Sequence, residues 1–202
     1  ENKVLVSCSF LIAAMPQKRA KLRVFAKNGF AGEFGHIPFF DNETICACGK
    51  KGCLETEVSG IAIEEKIIKL IKSGVNTILR EKYDRGEQIH INDIIMAAQN
   101  DDNLSIELIE EVGEKLGKAV AFLINTFNPE TVIVGGNLAA AGDYIMLPLK
   151  QGGADSLPAA LFFHPQNIEI RNSPAVDNKI APGNNVAVAV SNLEYDQFIL
   201  DR

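Results

Sequence analysis

One histidine and three cysteines fall within eighteen residues of this chain: His36, Cys46, Cys48 and Cys53. Thiolate and imidazole are the donors that tetrahedral zinc prefers, and four protein ligands close its shell, so this set describes a structural rather than a catalytic metal site. Ligands so near one another need a chain that turns sharply. Gly49 and Gly52 supply that freedom, because glycine reaches positive φ without a Cβ penalty. Two other arrangements use the same residues. One is a disulfide from Cys53 to Cys46 or Cys48, which leaves an odd thiol; the other is three unrelated buried cysteines. The residue types and their spacing favour zinc. Cys8 lies apart, in an apolar run.

The elements that must position this cluster can be read from apolar spacing. Val4 to Ala14 is apolar and fits a buried strand, although Ala13-Ala14-Met15 also fits a helix start; Pro16 ends it. Leu22 to Phe25 fits a second strand, giving a hairpin. Gly29 to Leu54 has little periodicity and reads as a long loop, of the kind that is functional or held by a ligand. Ile63, Ile67, Ile68 and Ile71, interleaved with Glu and Lys, mark an amphipathic helix. Asn92 is the expected N-cap of a short helix through Ala98. The longest helix is expected from Leu104 to Asn125, with Asp101-Asp102 at its start and Asn128-Pro129 as its stop. Thr131 to Val134 reads as a short strand closed by Gly135-Gly136, and Tyr144 to Leu149 as the start of another helix. Ile168 to Ile170 fits a strand, and Val186 to Val190 fits a strand or a helix. This order suits an α/β fold. No partner is visible for His90 or His164, and both read as structural.

Composition narrows the function classes. The chain has 202 residues, 47% hydrophobic and 23% charged, enough for a sizeable core without a disulfide scaffold. A net charge of −6 argues against direct grip on a phosphate backbone. No apolar run reaches a membrane span, and the start carries no signal-peptide pattern. With clustered rather than dispersed cysteines, this points to a reducing, cytoplasmic compartment. The chain also begins without Met and reads as part of a longer protein or one with a trimmed start.

Gly32-Glu33-Phe34-Gly35-His36, then Cys46-Ala47-Cys48-Gly49, Gly52-Cys53-Leu54-Glu55 and Ser59-Gly60, resembles the motif of the ROK family of repressors, open reading frames and sugar kinases. The resemblance is strongest to its Bacteroidetes-type repressor-like members, and covers Asn28 to about Leu149. It implies an actin-like, ribonuclease-H-like sugar-kinase fold, mainly the C-terminal lobe, as a single α/β domain over 1–202 with a zinc-binding loop at 33–55. It further implies zinc on His36, Cys46, Cys48 and Cys53, a hexose or N-acetylhexosamine facing Glu33, His36 and Glu55, and a nucleotide-like segment at Gly135-Gly136. Homodimers or homotetramers are the implied assemblies.

The sugar role has a physical basis. Each ionised carboxylate accepts several hydroxyl hydrogen bonds, and charge-assisted bonds are the stronger kind. A metal on one nitrogen of His36 would fix its tautomer and leave the other to a sugar hydroxyl. The competing reading of Glu33 and Glu55 is plain surface charge. Two functions remain: the sugar-responsive effector domain of a transcriptional repressor, with DNA bound by an upstream domain, or an ATP- and Mg²⁺-dependent sugar kinase. Where ROK kinases carry a glycine-rich phosphate loop, this chain has Phe10-Leu11-Ile12-Ala13-Ala14-Met15-Pro16-Gln17, without glycine. The kinases' catalytic Asp belongs to a segment upstream of Glu1. Both points favour the regulator and leave no residue here assigned to catalysis.

Overall fold

A computed structural model describes residues 10–14, 34–127, 131–154, 169–172 and 186–191. The expected strand at Leu22 to Phe25, and with it the hairpin, lies outside these residues, as do Cys8, Glu33, Asn128-Pro129 and His164. Four strands form one mixed sheet in the order β1-β4-β2-β3. They are β1 (Phe10–Ala14), β2 (Thr131–Gly136), β3 (Glu169–Asn172) and β4 (Val186–Ser191). β1 runs parallel to β4 from Phe10↔Val186 to Ala14↔Val190, β4 antiparallel to β2, and β2 parallel to β3. The ambiguity at Ala13-Ala14 and at Val186 to Val190 resolves to strand in both places. β2 also continues through Gly135-Gly136, which pair with Ala187 and Val186 instead of closing the strand.

Helices build the rest. α1 (Glu55–Val58) is one turn leading into α2 (Gly60–Lys72), whose N-cap Ser59 accepts a bond from Ala62 N–H at 3.2 Å. Ile63, Ile67 and Ile71 recur every four residues and are buried, as the amphipathic spacing requires. α3 (Arg80–Asp84) is short and was not legible from periodicity. α4 (Ile91–Gln99) corrects the expected cap: His90, not Asn92, is its N-cap, and Asn92 lies within the helix. The deciding contact is Asp93, whose carboxylate reaches back to accept the His90 N–H at 2.8 Å. The same turn is tied to α2, because Ile91 N–H donates to Glu64 Oε1 at 2.7 Å.

α5 (Asn103–Phe127) is the spine of the molecule. Leu108, Val112, Leu116, Val120, Leu123 and Ile124 are all buried, and each such side chain contributes roughly 1.5–3 kcal/mol by leaving water. Asp102 starts the helix by accepting from Ser105 N–H at 3.0 Å and Ser105 Oγ–H at 2.6 Å. α6 (Asp143–Ala154) lies directly on α5 through glycines. A Cβ added to Gly117 would stand 2.2 Å from the Leu149 carbonyl oxygen, and one added to Gly152 2.4 Å from that of Glu114. Val132 and Val134 of β2 join the same core, so sheet and helices share one interior. Among the described residues, no helix is long and apolar enough to cross a membrane.

Candidate metal centre

The segment from Phe34 to Glu55 has little regular secondary structure, and backbone bonds fold it into a compact knuckle. Phe34–His36 forms a single 3-10 turn. Pro38 then bridges Cys53, and Ile45 bridges Lys51, each antiparallel. Between the latter pair the chain reverses: Cys46 N–H donates to Lys50 O and Gly49 N–H to Cys46 O, both at 2.8 Å. Gly52 makes the crossing possible. Its φ is +71°, and a Cβ there would lie 1.9 Å from the Phe40 carbonyl oxygen. Phe39 and Phe40 N–H groups both donate to Gly52 O, at 2.9 and 3.1 Å.

These turns bring His36, Cys46, Cys48 and Cys53 together, with one donor atom from each lying within 4.8 Å of the others. Cys46 Sγ is 3.4 Å from His36 Nδ1, and Cys48 Sγ is 3.6 Å from Cys53 Sγ. With Zn–S near 2.3 Å and Zn–N near 2.0–2.1 Å, the edges of a tetrahedral shell are about 3.5–3.8 Å long. The donor set therefore has the chemistry of a four-ligand metal shell, and two of its edges have that shell's dimensions. The three cysteines are free thiols, so the disulfide alternative is not what the chain adopts here. Nor are they unrelated, since all three converge with His36.

Their ionisation differs by position. Burial pushes the Cys53 thiol up to about 12, aided by its neighbours Cys48 and Cys46. Burial likewise raises Cys46, against a backbone hydrogen bond at Cys48 that pulls the other way. Exposed Cys48 is held below its usual value, chiefly by a hydrogen bond from the Lys50 backbone. A bound cation would overturn this order, because coordination requires thiolates.

Glu55, the first residue of α1, also faces the cluster. Its Oε2 lies 3.2 Å from His36 Nδ1 and 3.6 Å from Cys46 Sγ. Of the residues expected to face a sugar, His36 and Glu55 are thus adjacent, while Glu33 is outside the described residues. Gly135-Gly136 lie on the sheet, paired to β4.

The knuckle is anchored by residues that periodicity did not single out. Phe34 and Phe39 pack on Phe122 of α5, with ring centroids 5.6 Å away in both cases. Glu57 of α1 accepts from Asn42 Nδ2 at 2.6 Å and pairs with Lys115 of α5. Lys115 also donates to Glu111 Oε1 at 2.7 Å. The Glu111–Lys115 pair has the i,i+4 spacing visible in sequence; the contacts of Glu57 do not.

The ROK family model matches residues 24–177, more than half of the sequence. The chain belongs to the ROK family. It is 39% identical over 127 residues to the N-acetylglucosamine repressor of Shigella flexneri, covering 62% of this chain and 30% of that protein. It is 33% identical over 168 residues to the xylose repressor of Caldicellulosiruptor bescii, covering 82% of this chain and 40% of that protein. A glucokinase of Halalkalibacterium halodurans is 34% identical over 125 residues, covering 61% of this chain and 38% of that protein. Among solved structures, a ROK family transcriptional regulator, a homologue of the E. coli MLC protein, superposes with TM-score 0.68 at 29% identity over 84% of this chain and 41% of its own. A ROK glucokinase from Streptomyces griseus, solved with glucose and AMPPNP, superposes with TM-score 0.60 at 24% identity over 75% of this chain and 49% of its own, and shares the fold. The fold is thus the actin-like α/β fold common to ROK regulators and sugar kinases. The chain spans well under half the length of these curated relatives.

Proposed function

We propose that this chain is the sugar-binding, zinc-binding part of a ROK-type transcriptional regulator that responds to a hexose or N-acetylhexosamine. The carrying observation is the convergence of four soft donors with the Glu55 carboxylate 3.2 Å from His36 Nδ1. Structural zinc on His36, Cys46, Cys48 and Cys53 is the reading their types and spacing support, with the loop at 33–55 as its frame. When bound, the metal supplies rigidity and a fixed His36 tautomer. His36 Nδ1 lies 3.4 Å from Cys46 Sγ, and on this reading the other ring nitrogen would serve a sugar hydroxyl. Glu33 and Glu55 accept further hydroxyl bonds. The single-domain, C-terminal-lobe organisation and a homodimeric or homotetrameric assembly belong to the same proposal. DNA would be held by a part of the protein outside this chain, in keeping with the net charge of −6.

The similarity to glucokinases keeps a second reading in view, with Gly135-Gly136 as its nucleotide contact. Against it stands β1, where Leu11, Ile12, Ala13 and Ala14 are committed to pairing with β4. A segment laid into a sheet does not cradle a triphosphate with its backbone N–H groups.

Calorimetry of the zinc-loaded full-length protein against hexoses and N-acetylhexosamines tests the first reading. One sugar should bind, and Glu33→Ala or Glu55→Ala should weaken it by on the order of 1–3 kcal/mol, as for a lost hydrogen bond to a charged group. Sugar-dependent ADP release with ATP and Mg²⁺ at roughly 1–100 s⁻¹ would instead establish the kinase.

A further inference from the structure

Two arms of the knuckle meet at one side chain outside the donor set. Glu57 lies four residues after Cys53, on α1. One of its oxygens accepts from Asn42 Nδ2 at 2.6 Å, and the other is paired with Lys115 Nζ. Asn42 belongs to the arm between His36 and Cys46, and its Oδ1 accepts from Thr44 N–H at 3.0 Å, shaping the turn that enters the Ile45–Lys51 bridge. Lys115 is carried by α5, and its ammonium also bonds Glu111 and lies 5.8 Å from the Phe40 ring centroid. The contact thus joins both sides of the donor cluster to α5. The side chains of Lys115 and Glu57 are only 22% and 19% exposed, so solvent weakens their attraction less than on an open surface. Burial alone would lower the Lys115 ammonium, but its hydrogen bonds to Glu111 and Glu57 outweigh this and hold it above its usual value.

We infer that Glu57 and Lys115 are positioning residues for the metal centre: through Asn42 they hold the Cys46–Cys48 turn against the Cys53 arm, so that the four donors are preorganised. This rests on the reading of the cluster as a zinc site. Residues that orient a metal's ligands without touching the metal govern its retention, because a loosened donor set releases the ion more readily.

The test is zinc transfer from the full-length protein to a chromophoric chelator, with cobalt substitution as a spectroscopic report on ligand geometry. Wild-type protein that carries no zinc overturns the metal reading itself, before any variant is compared. Given zinc in the wild type, Lys115→Met and Glu57→Gln should speed transfer by ~10–100-fold and perturb the cobalt ligand-field bands. Lys115→Arg should restore slow transfer. Asn42→Ala cuts the same tie from a partly exposed position and should act in the same direction, which covers the case where Lys115→Met does not fold. The control is Lys82→Met, which removes the Lys82–Asp93 pair, 25% exposed on each side and remote from the knuckle in the chain. Wild-type transfer rates in Lys115→Met, or in Asn42→Ala should Lys115→Met not fold, would overturn the inference. So would equal acceleration in Lys82→Met, which would make the effect one of general stability.

Discussion

The Oε2 atom of Glu55 lies 3.2 Å from Nδ1 of His36, the same nitrogen that stands 3.4 Å from Cys46 Sγ. A carboxylate proposed for sugar binding therefore also touches the metal donor set. Glu55→Gln keeps the shape and removes the charge. Removing this negative charge from beside a cation site should weaken zinc retention as well as sugar affinity. Parallel chelator competition and sugar calorimetry check this. A variant that loses sugar and keeps wild-type zinc retention would assign Glu55 to the sugar alone.

Metal-free protein should alkylate in a set order. The thiolate is the nucleophile, so exposed Cys48, held below its usual range, should react first with iodoacetamide near neutral pH. Buried Cys53, pushed up to about 12, should react last. Mass spectrometry of partially labelled peptides reads the order, and zinc loading should protect all three cysteines together. Cys53 labelling as fast as Cys48 would contradict the buried position assigned to it.

Gly52→Ala should disable the knuckle. The residue sits at φ +71°, where a side chain costs roughly 1–2 kcal/mol, and the new Cβ would stand 1.9 Å from the Phe40 oxygen. Zinc content after purification and the thermal midpoint should both fall. Gly49→Ala shares the positive φ but meets no atom within 4 Å, so it should lose less. Equal losses would mean that backbone conformation alone, and not the crossing at Phe40, sets the requirement.

Gly117→Ala probes the α5–α6 contact, where an added Cβ would be 2.2 Å from the Leu149 oxygen and 2.6 Å from the Gly153 nitrogen. The neighbours are backbone and cannot swing aside. Overpacking of this kind destabilises by about 1–3 kcal/mol, measurable by urea unfolding. A wild-type midpoint would show that the helices can separate at little expense.

Acid should unfold the chain partly through Asp102. Burial alone would raise its carboxyl, but bonds from Ser105, Ile78 N–H and Thr77 outweigh this and hold it below the usual range. Its folded value is depressed, so its contribution is complete above the unfolded value of about 3.9 and is lost as pH falls through the folded value. Urea midpoints between pH 6 and pH 3 should fall less steeply in Asp102→Asn than in wild type, from a lower starting point. Identical slopes would remove Asp102 from the acid response.

The sequence by itself determined what depends on residue type and near neighbours. The donor chemistry of His36 and the three cysteines was legible, because ligand identity is a property of side chains. So were the Ile63–Ile71 face, the long helix with Asp102 at its head and the strand from Thr131, because apolar period and capping are local. Other features were decided only in three dimensions. His90 displaced Asn92 as a cap because Asp93 could reach back to it and Glu64, from another helix, could hold the next N–H. Val186 to Val190 became a strand because β1 and β2 offered it backbone partners on both sides, which its own apolar run could not specify. Gly113, Gly117 and Gly152 let two helices touch backbone to backbone, a contact that no local pattern marks. The tie from Glu57 to Lys115 spans 58 positions. No periodicity encodes such a pairing, since it exists only once the knuckle is packed on α5.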